Sequence, residues 1–300
     1  MERCSSCVMP GTVVPLIDGE CHDCREYRKR DTVDWSTQLD RLKQSIKEEP
    51  VQTVIGDGNR DFLYTCIRLK ELGAEIVAIV IRPMHMTDNG RESLDRLADD
   101  VNVVEMGGPN RSLWSLLGES IVGSGDALPV NNFLLNRALA AAGKKAPVFF
   151  SADLNLGEHR FLGNYEPWSP RLNAAYLKGL GFYFKKPTFG QWWEHSNTAD
   201  ALDGLLDHFF YRGAGAGRGC REISSDIREG RVKREVGLKF LRECDGKFPW
   251  RYGGVGINEI RDSLGLSTQS LLEALDTHTD WNLFDGEKDG RPILKEFANG

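Results

Sequence analysis

Four cysteines near the start of the chain give the strongest chemical signal in the sequence. Cys4, Cys7, Cys21 and Cys24 form the pattern C-x2-C-x13-C-x2-C. Each C-x2-C pair can offer two thiolates to one ion, and a turn between the pairs would complete a tetrahedron. Zinc prefers this closed arrangement where its role is structural, because no position is left for a reacting water. The spacing therefore predicts a structural zinc-binding module over residues 1–30.

Two other states of these thiols are compatible with the same spacing. The cysteines can pair as two disulfides, or they can hold an iron–sulfur cluster. The chain has 7 cysteines, an odd number, which a disulfide framework would not use completely. Their clustering suits metal binding in a reducing compartment better than disulfide formation.

A second signal is the stretch TVIGDGNRDFLY, residues 53–64. An apolar run enters a short polar loop with glycine, and a helical pattern follows. Such a helix N-terminus after a strand can bind phosphate through its backbone N–H groups. The alternative is an ordinary strand-to-helix turn in which aspartates cap the helix. The predicted nucleotide-binding residues are Gly56, Asp57, Gly58, Asn59, Arg60 and Asp61.

A third signal is the glycine- and arginine-rich stretch YRGAGAGRGCREISSDIREGRVKR, residues 211–234. Glycines let the backbone approach a ligand closely, and guanidinium groups suit the oxygens of a diphosphate. We predict Arg218, Arg221 and Arg234 as ligands of a substrate or its phosphates. A flexible loop followed by a solvated helix is the alternative. Cys220 lies among these arginines, and an electropositive setting would lower the pKa of its thiol.

A carboxylate and two loop residues are the candidates for catalysis. Glu158 follows a predicted strand in SADLNLGEHR, where a carboxylate can hold Mg²⁺ or cap the next helix. Arg60 and Asp61 lie in the loop after the first apolar strand. We predict these three as catalytic residues.

The elements that would position these groups alternate along the first half of the chain. Apolar strand-like runs at 51–56, 75–81, 101–106 and 147–154 are separated by helical patterns, which predicts an α/β fold with a parallel sheet covered on both faces. Ligands of such sheets bind beyond the carboxyl ends of the strands. From about residue 168 the spacing is helical. The predicted units are a metal module at 1–30, a helical connector at 31–50, an α/β nucleotide-binding domain at 51–167 and a helical domain at 168–300.

Composition and charge narrow the class of protein. Apolar residues make up 40% and charged residues 27% of the chain, as in ordinary globular proteins. The net charge of −6 argues against nucleic acid as a partner. There is no run of about 18 apolar residues that would span a membrane and no apolar leader at the N-terminus. We therefore expect a cytoplasmic protein without membrane contacts.

Several sequence motifs together resemble those of one enzyme family. CSSCVMPGT and GECHDC near the start, GRGCREISSDIREGRVKREVGLKFL, CDGKFPWRY and the closing THTDWNLF are similar to segments of the N-acetyl sugar amidotransferases of bacterial surface-polysaccharide biosynthesis. These are PP-loop ATP pyrophosphatases with a HUP-like parallel sheet. The resemblance implies ATP and Mg²⁺ as co-substrates and a nucleotide-linked N-acetyl sugar as substrate. It also implies adenylation of the sugar amide, attack by ammonia to give an acetamidino group, and separate glutaminase and cyclase-like subunits that supply the ammonia.

The chain departs from that family at the loop itself. PP-loop enzymes carry Ser-Gly-Gly-x-Asp-Ser, whereas this chain has DGNRDF. Asp57 stands at the first serine, Asn59 at the second glycine and Phe62 at the last serine, while Asp61 is retained. Two hydroxyl donors are lost, and Asp57 brings a carboxylate to where phosphate would lie. The alternatives are a catalytically degenerate homologue that acts as a binding or scaffold subunit, and a tRNA-thiolating PP-loop enzyme.

Overall fold

The N-terminal part of the fold is a small hairpin followed by two helices. The structure is a computed structural model that describes residues 1–82, 85–107, 110–143, 147–150, 160–184, 190–196 and 199–298. Its first elements are β1 (Leu16–Ile17), β2 (Glu20–Cys21), α1 (His22–Lys29), a 3-10 turn (Arg30–Thr32) and α2 (Trp35–Glu48). Asp34 begins α2 by accepting a hydrogen bond from the N–H of Thr37, and α2 falls within the segment 31–50 that was predicted as a helical connector.

The central part of the chain alternates between strands and helices. Its elements are β3 (Val51–Gly56), α3 (Arg60–Glu71), β4 (Glu75–Arg82), α4 (Asp88–Ala98), β5 (Asn102–Gly107), α5 (Arg111–Ser124), α6 (Leu128–Ala142), β6 (Val148–Phe150) and β7 (Arg160–Phe161). In the described residues these strands form one five-stranded sheet in the order β5-β4-β3-β6-β7, and every pairing is parallel. The predicted parallel sheet is confirmed, and β7 is an additional edge strand.

Both faces of the sheet are covered by helices. Val54 and Phe149 point to the core shared with α3 and α4, whereas Ile55 and Phe150 point to the core shared with α6. Successive strand residues face opposite sides, so a strand buried on both faces must be apolar along its length. The strand order turns back between β3 and β6, and ligands of open parallel sheets bind at such a switch point. The loop that begins at Asp57 lies at this point.

The C-terminal part is helical with two small hairpins that the sequence patterns did not predict. Its elements are a 3-10 turn (Leu162–Asn164), α7 (Pro170–Gly179), α8 (Asp203–Ala214), α9 (Arg218–Arg228), α10 (Arg234–Glu243), β8 (Arg251–Tyr252), β9 (Val255–Gly256), α11 (Ile257–Ser263), α12 (Thr268–Thr277), β10 (Phe284–Lys288), β11 (Arg291–Leu294) and a 3-10 turn (Lys295–Phe297). Each hairpin closes through two residues with positive φ, Gly253–Gly254 and Asp289–Gly290. Such two-residue turns match the twist of the paired strands. Within the described residues, no helix is both long enough and apolar enough to cross a membrane.

His208 on α8 is a buried histidine held in its neutral form. Its side chain is 2% exposed, and Nδ1 donates to the carbonyl of Gly246 at 3.2 Å. Nε2 has no hydrogen-bond partner among the described residues. Burial, reinforced by the charge of Arg212, lowers the pKa of His208 to about 3. A proton added to this ring would therefore be buried without an acceptor.

We expect His208 to make the fold sensitive to acid. An unfolded histidine titrates near pH 6.5, so between about pH 3 and pH 6.5 the unfolded state binds more protons and stability falls as the pH drops. This group alone would account for up to about 1.4 kcal/mol per pH unit. His208→Asn keeps a donor for the carbonyl of Gly246 but cannot titrate. Urea unfolding between neutral and acidic pH should show a shallower loss of stability in this variant, and an unchanged slope would contradict the assignment.

Candidate functional site

The four N-terminal cysteines converge on one buried point. Cys4, Cys7, Cys21 and Cys24 are buried and free of disulfides, and their Sγ atoms all lie within 4.8 Å of one another. The Cys4–Cys24 and Cys7–Cys21 sulfur distances are 3.8 and 3.7 Å. Thiolates bound to one zinc ion at about 2.3 Å would lie about 3.8 Å apart at the corners of a tetrahedron. These residues therefore fit a single tetrahedral metal ion.

The other two states of the thiols fit the geometry less well. A disulfide would bring two sulfurs to about 2.05 Å. An iron–sulfur cluster places its thiolates on different irons with sulfides between them, so the four thiolates cannot all be neighbours. The predicted four-cysteine metal site is thus confirmed as a group that can hold a metal ion, and its spacing suits a mononuclear one.

Local hydrogen bonds act differently on the four thiols. The N–H of Met9 donates to Cys7 Sγ at 3.4 Å, and the N–H of Cys21 donates to Cys4 Sγ at 3.3 Å. The pKa of the Cys7 thiol is lowered to about 5, mainly by the hydrogen bond from the Cys24 thiol. A metal ligand must be a thiolate, and Cys7 is the thiol whose surroundings favour that form. Burial raises the pKa of Cys21 to about 12, and the hydrogen bond to Cys7 raises the pKa of Cys24, so a metal ion must displace protons from these two thiols.

The four-cysteine module (residues 1–30) docks on α9 and α10. Arg234 donates to the backbone carbonyls of Cys4 at 3.3 Å and Cys7 at 2.8 Å, and Val8 packs in one cluster with Ile223. Arg234, which was predicted as a phosphate ligand, therefore contacts the backbone of the module. In this position it joins the module to the C-terminal helices.

Cys220 is buried in the same interface and is not an activated thiol. Its side chain is fully buried, and Sγ donates to the carbonyl of Val8 at 3.6 Å. Burial raises the pKa of the Cys220 thiol to about 12. The predicted low pKa is wrong, because desolvation by the docked module outweighs the nearby guanidinium of Arg3.

The loop after β3 is closed by its own side chains. Asp57 Oδ1 accepts a hydrogen bond from the N–H of Asn59 at 3.1 Å, and Asn59 Oδ1 caps α3 by accepting from the N–H of Phe62 at 2.9 Å. Gly58 has φ +84°, and a Cβ there would lie 3.2 Å from Leu94. The loop turns at Gly58, and two of its N–H donors are used internally. This geometry supports the capped-turn alternative for the loop.

Phe62, at the sequence position of the last serine in the PP-loop pattern, is a core residue. Its side chain is fully buried in the core between the sheet and α3. A Cβ added to Gly56 would come within 2.5 Å of the Phe62 ring, so the ring covers the end of β3. This position is part of the core and presents no group to a ligand.

Arg60 links the loop to the C-terminal region. Its guanidinium pairs with the Asp61 carboxylate at 2.7 Å and donates to the carbonyl of His195 at 3.3 Å. It also lies over the Trp193 ring, 5.3 Å from the ring centroid. Only 9% of the Arg60 surface is exposed. Arg60 and Asp61 therefore form one fixed pair at the start of α3.

Arg218 and Arg221 are held by carboxylates of α8. Asp207 accepts from Arg218 Nε at 2.5 Å and from Arg221 Nη2 at 2.7 Å, and Asp203 lies 3.6 Å from Arg218. Burial raises the pKa of Asp203 well above its usual range, with Arg218 opposing the shift. The sequence interpretation did not include Asp203 and Asp207, although their i,i+4 spacing on one helix face was a usable signal.

The loop and the arginine-rich helix line one cavity of about 340 Å³. Asn59, Arg60 and Asp61 form one wall, and Arg218 and Arg221 form another. Its other charged and aromatic lining residues are Arg228, Glu222 and Trp193. The fold thus brings together two groups of predicted site residues that are about 160 positions apart in sequence. We call this space the anion cavity because guanidinium groups outnumber carboxylates among these lining residues.

A second cavity of about 360 Å³ lies at the carboxyl ends of the sheet strands. Ile55 and Gly56 of β3, Ile81 of β4 and Phe150 of β6 form its floor. Asn59 lines both this strand-end cavity and the anion cavity. An apolar pocket at a switch point, with polar groups at its rim, is the usual form of a small-molecule site in α/β sheets.

One predicted catalytic residue cannot be placed in this arrangement. Glu158 lies outside the described residues, so its predicted role as a catalytic carboxylate or Mg²⁺ ligand stays a prediction. Comparison with protein-family models and with curated proteins gives no match to this chain.

Proposed function

We propose that this protein is an ATP-dependent amidotransferase that acts on a nucleotide-linked N-acetyl sugar. The observation that carries the proposal is the anion cavity, where the loop after β3 meets Arg218 and Arg221. The strand order with its switch point at β3 supports a PP-loop ATP pyrophosphatase (HUP-like) fold. The motifs that resemble the N-acetyl sugar amidotransferases supply the reaction class.

The two cavities suggest how the substrates are arranged. The nucleoside of ATP would lie in the strand-end cavity, against the apolar ends of β3, β4 and β6. Its phosphates would pass Asn59 into the anion cavity, where guanidinium groups can bind phosphate oxygens in pairs. The sugar amide oxygen would attack the α-phosphate there, releasing pyrophosphate, and ammonia would then displace the adenylate.

Guanidinium groups would replace the two serine hydroxyl donors that the PP-loop pattern has and this loop lacks. Asp57 and Asn59 occupy loop N–H groups, so the phosphates cannot rely on the backbone alone. Arg221 is 43% exposed on its side chain and shares Asp207 with Arg218, so it can turn towards a phosphate without leaving a carboxylate unpaired. This makes Arg221 the main candidate for direct contact with the phosphates.

The four-cysteine module would hold zinc as a structural ion. The spacing of the thiols fits one tetrahedral ion, and all four protein ligands are present. Such an ion cross-links the two halves of the module and supplies no reaction step. Mg²⁺ would accompany ATP, with Glu158 as its predicted protein contact. Ammonia would come from separate glutaminase and cyclase-like subunits.

The self-closed loop also favours a second candidate function. Asp57 and the cap by Asn59 leave a turn that is stable without phosphate. A chain of this kind can serve as a binding or scaffold subunit that retains the fold but not ATP turnover. ATP binding and pyrophosphate release separate the two functions.

The test is calorimetric titration of Mg·ATP into zinc-loaded protein, followed by a pyrophosphate-release assay with ammonium and UDP-N-acetyl sugars. We expect micromolar binding of ATP. Arg221→Gln should weaken it about tenfold, because a charge-assisted contact to phosphate is lost. Lys239→Gln removes the same charge from an exposed side chain of α10 and should leave affinity unchanged.

Absence of heat at millimolar ATP would contradict ATP-dependent chemistry in the isolated chain and leave the binding-subunit function. Equal loss of affinity in Arg221→Gln and Lys239→Gln would mean that only bulk charge matters, and would remove Arg221 from the site. Salt-sensitive retention of tRNA by the protein would instead favour the tRNA-thiolating alternative.

A further inference from the structure

A third and larger cavity lies between the four-cysteine module, α2 and the edge of the sheet. Its volume is about 710 Å³. α1 of the module forms one wall, Trp35 and Gln38 of α2 a second, and the residues that follow β7 a third. We call it the module cavity. The four-cysteine module, α2, the edge of the sheet, α7 and α9 all contribute residues to it. The cavity therefore exists only when the module is docked.

Aromatic side chains line much of the module cavity. Tyr27, Trp35, Phe161 and Trp168 all face it. Trp168 is fixed by ring contacts to Phe161 at 4.8 Å and to Tyr64 at 5.5 Å. Rigid aromatic faces of this kind bind apolar C–H surfaces of a ligand while losing little conformational freedom.

Amides, carboxylates and the basic side chains of Lys29 and Arg30 also line the module cavity. Gln38 and Asn164 can each donate and accept, and Asp23 can accept, which suits the hydroxyl and amide groups of an N-acetyl sugar. Glu26 is already paired with Lys29 at 2.5 Å. Glu229, at the same wall, is already held by Arg231 and Ser169. Aromatic faces combined with such groups are the chemistry that recognises a sugar ring, whose faces are apolar and whose edge is polar.

Arg228 connects the module cavity to the anion cavity. It lines both, together with Pro170 and Ser225. Only 14% of its side chain is exposed; Nη1 forms an ion pair with Asp23 Oδ2 at 3.7 Å, and the Cys7 and Cys24 thiols also act on its charge. Nη1 is buried and has no hydrogen-bond partner among the described residues. A buried guanidinium with an unused donor is expected to meet an acceptor, and an anionic ligand at the junction would supply one.

We infer that the module cavity binds the glycosyl ring of a nucleotide-linked sugar, with the phosphate attached to that ring at Arg228. The inference rests on the proposed function and adds the place of the sugar. It makes the four-cysteine module a wall of the substrate site as well as a structural unit. The acetamido group of the ring would then lie near the anion cavity, where the amide oxygen could meet the α-phosphate of ATP.

The probe is UDP-N-acetylglucosamine, titrated in the absence of ATP, with UDP and N-acetylglucosamine 1-phosphate titrated separately. Saturation-transfer NMR should show contact at the sugar-ring protons of the probe. Trp35→Ala should weaken its binding at least about tenfold, because a stacking face is lost. Trp35→Phe retains such a face and should restore most of the affinity. Trp250→Ala, at an exposed tryptophan outside this cavity, is the control.

Several results would overturn the inference. The first is that UDP-N-acetylglucosamine does not bind at millimolar concentration. The second is that wild type and Trp35→Ala bind it with equal affinity, and the third is that UDP binds as tightly as the sugar nucleotide. A parallel titration with ATP distinguishes failure of the sugar-site inference from failure of the proposed function. If ATP binds but UDP-N-acetylglucosamine shows no Trp35-dependent binding, only the placement of the sugar is wrong. If Trp35-dependent sugar binding occurs without ATP binding, the sugar site stands and the ATP-dependent reaction is wrong.

Discussion

Cys7→Ser is expected to remove the bound metal ion and to lower the free energy of unfolding by more than about 4 kcal/mol. Serine is a poor zinc ligand, so three buried thiols would remain without the ion that holds them together. The module has few apolar side chains of its own and packs mainly on α9 and α10. Losing the ion therefore undocks residues 1–30 and exposes that face of the helices.

The measurement is metal content by elemental analysis together with thermal unfolding. We expect one zinc per chain in wild type and none in Cys7→Ser. Cys244→Ser is the matched control, because Cys244 is a partly exposed thiol outside the cluster, and its stability and zinc content should stay at wild-type values. A Cys7→Ser protein with full zinc content and unchanged unfolding would show that the four thiols are not a metal site. Iron in place of zinc would revive the iron-based alternatives.

Local patterns in the sequence predicted the features that depend on local rules. The C-x2-C pairs form knuckles at one ion site because that spacing sets the turn, and the Asp18–Gly19 turn returns the second pair. The apolar runs formed a parallel sheet because both of its faces are buried. The hairpins at 251–256 and 284–294 were missed although Asp289–Gly290 is a strong two-residue turn signal, since strands this short show no alternation.

The composition of the site could be predicted only in part, because it depends on contacts between distant segments. Arg60 meets the carbonyl of His195 and the ring of Trp193, and no spacing rule relates these residues. Arg234 has the same charge as Arg218, yet it binds the carbonyls of the module. Cys220 is shielded by a segment more than 200 residues away. In each case tertiary packing, which a single sequence does not display, decides the role of the residue.

Phe62→Ser, which places serine at the position of the last serine in the PP-loop pattern, is expected to destabilise the protein by about 4–6 kcal/mol. Removing a buried phenylalanine side chain costs about 3–5 kcal/mol, and a buried hydroxyl without a partner adds to this. The ring covers Gly56 and packs against the helices on that face, so its loss opens a cavity at the end of β3. A loss of this size is a large part of the 5–15 kcal/mol that usually stabilises a domain.

Phe62→Leu is the control, since it keeps an apolar side chain and should cost less than about 2 kcal/mol. Urea unfolding of wild type and both variants at neutral pH measures the difference. A Phe62→Ser protein as stable as wild type would show that the loop can accept the serine and that Phe62 is a peripheral change. The expected large loss has a functional consequence. The departure from the PP-loop pattern is then built into the core of the sheet, and any nucleotide bound here must be held by the guanidinium groups of the anion cavity.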